Sequence, residues 1–336
     1  MIVSSIAVIV LVLNIGWYLF SHFQKNKPLP DERAIERYQM ANEQILHRRA
    51  VRHILEQDDI DSGGHRLHLD ILPGGKDAPV VVFIPGTSVY AQTYTAFLSA
   101  LCRAGFNVVG FDPRGHGRSS GPRGDYTIDE IVDDALAAVA YARRRFKNPV
   151  AVAGSSQGGI AAFYAAARDD GLAAAVCHNL ADLNGKANQV LSRVVVPAWS
   201  TPLVQAVMRL YGGFLIPLAL YLDLTKIYLE NGASVARYIR EDPLAVNWIS
   251  LRALNSLLKT PLAKPVEAIT VPVMVIHPGK DHIFPQWYVE SLYNRLRCKK
   301  RFYLMKNRSH QVMTNRVEEV VPGVVAWLKE VLGTQR

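Results

Sequence analysis

The sequence predicts an α/β fold: a mostly parallel, doubly wound sheet, a helical cap inserted in its second half, and a transmembrane helix ahead of it. Three observations carry this. Short continuous apolar runs alternate with amphipathic stretches from residue 51 to 181 and again from 263 to 336, the pattern of a parallel sheet covered on both faces. Between 182 and 262 that alternation stops, and prolines cut a helix-like, apolar stretch into short pieces. Residues 2–20, IVSSIAVIVLVLNIGWYLF, contain no charged side chain.

The elements follow in order. A helix over 2–20 spans roughly 30 Å, about the thickness of a bilayer's hydrocarbon core. Trp17 and Tyr18 lie near its end, where an interfacial belt belongs, and Asn14 is its one strongly polar residue deep inside. The rivals are a buried helix and a cleaved signal peptide. The signal peptide is disfavoured because no Lys or Arg precedes the run, and bulky Trp17, Tyr18 and Phe20 stand where small residues would be needed. Lys25, Lys27, Arg33 and Arg37 follow the span, so the body is expected on the cytoplasmic side of a single-pass protein. Residues 21–50 read as a linker: Lys27-Pro28-Leu29-Pro30 is stiff, and 31–49 is a helix spacing the body from the bilayer.

In the body, 51–57 and 66–72 are expected to pair as a hairpin around Asp61-Ser62-Gly63-Gly64. Strands are then expected at 80–84, 107–111, 150–153, 173–176, 271–276 and 301–305. Helices are expected at 93–104, 128–146, 160–167, 285–296 and 316–332. The cap at 182–262 carries Val194-Val195-Val196, Leu203, Val207, Met208, Leu210, Tyr211, Phe214, Leu215, Ile216, Leu218 and Leu220. These residues either fill a core between cap helices or line an acyl pocket.

Composition excludes other classes. A chain of 336 residues with 49% apolar and 20% charged residues can bury a large core. The net charge of +9 invites a nucleic-acid reading, but the basic residues are scattered and no zinc-finger, RNP or P-loop pattern occurs. Arg143-Arg144-Arg145 sits where a helix should end, a favourable place for cations. Cys102, Cys177 and Cys298 are odd in number and widely spaced, so they read as reduced thiols rather than a disulfide framework or zinc site.

The chemistry is concentrated at strand ends. Gly154-Ser155-Ser156-Gln157-Gly158 fits G-x-S-x-G between an apolar strand and a helix, the setting of a nucleophile elbow. A serine hydroxyl needs a base in reach, and an imidazole base needs a carboxylate to orient it. Distinctive residues follow four strands: Pro85-Gly86-Thr87-Ser88, Asp112-Pro113-Arg114-Gly115-His116-Gly117-Arg118-Ser119, His277-Pro278-Gly279-Lys280-Asp281-His282 and Asn307-Arg308-Ser309-His310. The chain order Ser, Asp, His fits Ser156, Asp281 and His310. Asp182 is the runner-up acid. Ser155, His116 and His282 are weaker candidates for nucleophile and base. Asp112 reads as a loop organiser and His277 as a hydrogen-bonded buried residue. His65 and His68 lack an evident third ligand for a metal.

On these residues the chain from about 51 to 336 resembles the α/β-hydrolases, closest to the monoacylglycerol lipase and lysophospholipase-like branch with an inserted lid. The resemblance implies Ser156 as nucleophile, Asp281 as acid and His310 as base. The family's oxyanion loop usually begins His-Gly; here it is Pro85-Gly86. Because the donors are backbone N–H groups, Thr87 and Gln157 are assigned as the oxyanion hole. The expected function is a membrane-anchored serine hydrolase cleaving carboxylic esters through an acyl-enzyme. Lipid esters such as monoacylglycerol or lysophospholipid are the expected substrates, and no metal, organic cofactor or nucleic acid is expected to take part. The alternatives are a thioesterase, amidase or acyltransferase on the same triad, or a non-catalytic membrane-tethered binding protein.

Overall fold

A computed structural model describes residues 2–47, 51–184, 200–222 and 234–333. Its strands are β1 (Glu56–Ser62), β2 (His65–Leu72), β3 (Val80–Ile84), β4 (Asn107–Phe111), β5 (Val150–Ser155), β6 (Ala174–His178), β7 (Leu215–Pro217), β8 (Trp248–Ser250), β9 (Val273–Pro278) and β10 (Lys300–Met305). Eight of them form one sheet in the order β1-β2-β4-β3-β5-β6-β9-β10. β2 pairs antiparallel with both β1 and β4, and every other neighbour in this sheet is parallel. The chain runs from β3 to β4 on one side and returns to β5 on the other. The sheet therefore has its switch point at the carboxyl ends of β3 and β5, where a crevice opens.

Every residue of β3, β4, β5 and β6 is buried, as expected for strands covered on both faces. Ahead of the sheet lie α1 (Ile2–Lys25), α2 (Glu32–Ala41) and α3 (Glu43–Leu46). Its covering helices include α4 (Thr95–Arg103), α5 (Ile128–Phe146) and α6 (Gln157–Arg168). The inserted region contributes α7 (Thr201–Leu210), α8 (Leu218–Tyr221), α9 (Val235–Glu241) and α10 (Leu251–Lys259). The chain then adds α11 (Gln286–Arg295), α12 (Val312–Asn315) and α13 (Val317–Leu332). α5 packs on α6, and α13 on α4. α5 has the expected bounds because its ends are chemically marked. Thr127 and Glu130 form a reciprocal capping box at its start, and Arg143, Arg144 and Arg145 occupy its last turn.

Several expectations need correction. The first hairpin strand is 56–62, not 51–57, and residues 51–54 form a turn. β1 is an edge strand with the polar sequence EQDDIDS, so apolar alternation could not mark it. The cap also contains a two-stranded antiparallel ribbon, β7 with β8, that three-residue strands left invisible. Val194, Val195 and Val196 lie outside the described residues. Of the other cap residues, Leu215 and Leu218 are buried, while Leu203, Val207, Leu210 and Leu220 are exposed.

The N-terminal segment differs most. Among the described residues no helix is long and apolar enough to cross a membrane. α1 does not end at Phe20 but continues to Lys25, and its last turns are docked on the body. Trp17 Nε1 donates to Leu215 O (2.9 Å), Phe20 packs edge-on against Trp248, and Lys25 pairs with Asp125 at 3.1 Å. Residues 31–47 are not a free spacer. Ile35 is buried with Tyr90 and Leu244, Tyr38 donates to Tyr238 O, and Arg118 pairs with Glu32. Ile9 to Leu13, Ile15, Tyr18, Leu19 and Phe23 remain exposed on α1.

Candidate active site

β5 delivers the chain to Ser156, which sits immediately before α6 with φ 55° and ψ −117°. A non-glycine residue held there is strained, and the neighbouring glycines make the turn possible. A Cβ on Gly154 would lie 2.0 Å from Gly158 O, and one on Gly158 would lie 2.1 Å from Ile84 O and 2.5 Å from Pro85 O. All three obstacles are backbone. Gly158→Ala is accordingly expected to lower stability by about 3 kcal/mol or more, read as a fall in thermal midpoint.

Ser156 is half-buried and lies where two clefts adjoin. One cleft is walled by Ile160, Leu183, Tyr221, Leu222, Leu257 and Leu258. The other runs from Gly86 and Thr87 past Ser156 to His310. Ser156 and His310 thus face a common space, although the Ser156 hydroxyl makes no hydrogen bond among the described residues. Contacts of this kind are often loose before substrate binds and tighten in the complex.

The expected acid and base do meet. His310 Nδ1 and Asp281 Oδ2 are 2.8 Å apart, with Asp281 on the loop after β9 and His310 after β10. Asp281 Oδ1 accepts from the amides of Ile283 (2.8 Å) and Phe284 (3.1 Å). Burial pushes the Asp281 carboxyl up. The charge and hydrogen bond of His310, aided by His178 and the Ile283 amide, outweigh it and hold the group well below the usual carboxylate range. The His310 ring meets two others: Phe284 is parallel to it at 5.9 Å and His178 tilted against it at 4.9 Å.

Thr87 and Gln157 are also brought together. Thr87 Oγ1 donates to Gln157 Oε1 (2.9 Å), and Tyr126 Oη donates to the same oxygen (3.1 Å). Gln157 opens α6, where an N–H has no intrahelical acceptor. Thr87 lies on the loop whose Gly86 would carry a Cβ 3.7 Å from that of Ser156. Both amides therefore belong to segments that flank the serine.

The remaining candidates take structural places. Ser155 is buried, with its hydroxyl 3.1 Å from His178 Nδ1. Asp112 organises its loop, accepting from Ala91 N and Arg118 N. Burial foremost, with Asp70 nearby, pushes its carboxyl up to about 6 against the pull of His68. His116 is buried, packs on Tyr126 and is pushed down to about 4 by desolvation. Asp182 accepts from Asn184 N, its own amide donates to Tyr288 Oη, and it is not hydrogen-bonded to His310. His282 is exposed, and His68 lies beside Asp70 and Asp59. His277 is hydrogen-bonded and buried, as the sequence indicates.

His178 and Asn179 were missed. His178 ends β6 and Asn179 follows it, at a strand end whose residues carry no familiar motif. Burial, with His310 nearby, pushes His178 down to about 3, so it is a neutral ring beside His310. The ligand-capable atoms of His178, Asp281 and His310 lie within 4.8 Å of one another and could hold a cation, although two of the three residues are already bonded to each other.

A mostly parallel sheet with a switch-point serine on a strained strand–helix turn, beside a buried imidazole–carboxylate pair, has the architecture of the α/β-hydrolase class. Residues 75–316 match the family Hydrolase_4, described as serine aminopeptidase S33, and the chain belongs to that family. Among curated relatives it is 36% identical over 93 residues to the bifunctional esterase/perhydrolase of Acinetobacter calcoaceticus, covering 28% of this chain and 33% of that protein. It is 29% identical over 231 residues to the monoacylglycerol lipase of Mycolicibacterium smegmatis, covering 66% and 78%. The first two curated relatives are matched over only 33% and 27% of their own lengths. The crystal structure of a monoacylglycerol lipase from Paleococcus ferrophilus superimposes with a TM-score of 0.62 at 22% identity, over 82% of this chain and all but 1% of that one, and so shares the fold.

Proposed function

We propose that the protein hydrolyses carboxylic esters of lipophilic acids through an acyl-enzyme on Ser156. The carrying observation is that Ser156, on its strained turn, shares a cleft with His310, which is bonded to Asp281. His310 takes the proton as Ser156 attacks the carbonyl and returns it to the leaving alcohol. Asp281 fixes the Nδ1–H tautomer and stabilises the imidazolium. The amides of Thr87 and Gln157 receive the oxyanion. Water then deacylates the enzyme by the same proton path. The apolar wall of Ile160, Leu183, Leu222 and Leu257 favours an acyl chain, and monoacylglycerols or lysophospholipids are the substrates that fit it best. A chain-length series of glyceryl esters tests this. Rising kcat/KM with acyl length is expected, and a preference for acetyl esters would refute the lipid assignment. The family's description as an aminopeptidase keeps amide substrates in that panel.

Thr87→Pro removes one proposed donor and, where the loop still folds, is expected to lower kcat by roughly 10²–10³-fold, with a lower thermal midpoint from the lost Thr87–Gln157 side-chain bond. An undiminished kcat moves the oxyanion hole elsewhere.

The membrane reading is part of the same proposal. The uncharged run 2–20 and the exposed apolar side chains from Ile9 to Leu19 favour attachment of α1 to a bilayer surface, with Lys25, Lys27, Arg33 and Arg37 beside the lipid headgroups. Because Trp17 and Phe20 pack on the body, deletion of residues 2–13 is the right test. Full-length protein is expected in the membrane pellet and the deletion variant, still active on soluble esters, in the supernatant. Equal partitioning of the two would end this part of the account.

A further inference from the structure

The structure holds a second layer around the acid. Asn179 stands just past β6 at φ 71°, a left-handed conformation that asparagine tolerates better than most residues. Its Nδ2 donates to Asp281 Oδ2 (2.8 Å), and its Oδ1 lies 2.7 Å from His277 Nδ1. The directions follow from chemistry. An ionised carboxylate only accepts, so the amide NH₂ faces Asp281 and the amide oxygen faces His277, whose Nδ1 must then carry the proton. Asn179 and His277 are fully buried, and desolvation holds His277 below its ordinary range, hence neutral.

We propose that Asn179, oriented by His277, is a positioning residue that sets the basicity of the Asp281–His310 pair. This rests on the proposed triad. Asp281 Oδ2, the oxygen facing His310, is the one that also takes the Asn179 amide. That second donor disperses charge on Oδ2 and fixes its direction. Without it, Oδ2 attracts the imidazolium more strongly, and the acid limb of the activity profile moves to higher pH. The other titratable groups in the field are His178, against His310 and Asp281, and Glu290, which with Asp281 and His310 acts on His277. None of these is altered in the test.

The test is the pH profile of kcat/KM on a soluble nitrophenyl ester. Wild type is compared with Asn179→Gly, Asn179→Asp and His277→Gln, and Ser156→Ala serves as the blank. Glycine relaxes at φ 71°, so Asn179→Gly removes the amide without backbone strain. Its acid limb is expected to rise by about 0.5–1 pH unit, with kcat lowered about tenfold or more and KM nearly unchanged. Asn179→Asp keeps the shape but sets carboxylate against carboxylate, so its limb should rise further. His277→Gln retains a donor and should stay near the wild-type profile. An acid limb unmoved in both folded Asn179 variants overturns the proposal, and if Asn179→Gly fails to fold, Asn179→Asp decides alone. Failure of the triad itself looks different: Ser156→Ala would retain turnover.

Discussion

Ser156→Ala is expected to lower ester turnover by roughly 10⁴–10⁶-fold while leaving the thermal midpoint at the wild-type value. The loss is large because the neighbouring Ser155 cannot replace it: that residue is buried and faces His178. The structure adds a sharper companion. Ser156 holds φ 55°, a conformation that glycine adopts without penalty. Ser156→Gly is therefore expected to be equally inactive yet more stable, by about 1 kcal/mol. A gain in stability on removing a side chain is the mark of strain kept for chemistry. A side chain kept for packing would show the reverse.

Asp281→Asn is expected to lower kcat by about 10⁴-fold, because an amide cannot hold the imidazole in the tautomer that accepts the serine proton. It should also destabilise the fold. Both Asp281 oxygens accept hydrogen bonds, from His310, Asn179, Ile283 and Phe284, and an NH₂ group would face donors on one side. The pH dependence has a definite sign. The folded-state pKa of Asp281 is depressed, so its contribution to stability is present above the unfolded carboxyl value near 4 and is lost as pH falls through the folded-state value. The stability gap between wild type and Asp281→Asn should accordingly be full at neutral pH and shrink in acid. Urea titrations at pH 7 and pH 3 measure it, and a gap that widens in acid contradicts the assignment.

Legibility in the sequence followed how locally each feature is encoded. α5 was readable to the residue because its capping box and terminal arginines are local signals. β3 and β4 were readable because strands buried on both faces are continuously apolar. Ser156, Asp281 and His310 stood out because each lies beside a recognisable strand-end motif, and the structure bonds the last two to each other. β1 was misplaced because an exposed edge strand has no apolar face to betray it. The docking of α1 was invisible because Trp17 and Phe20 look the same whether they meet lipid or Trp248. Asn179 was missed for a related reason. Its role depends on two partners, His277 and Asp281, that are 98 and 102 positions away in the chain.

The central claim is that Ser156, His310 and Asp281 act as one unit, and phosphonylation mapped by peptide mass spectrometry tests it most directly. A fluorophosphonate should modify Ser156 and no other serine in the wild type, and should do so slowly or not at all in His310→Ala. An adduct on another serine, or labelling of His310→Ala at the wild-type rate, would contradict it.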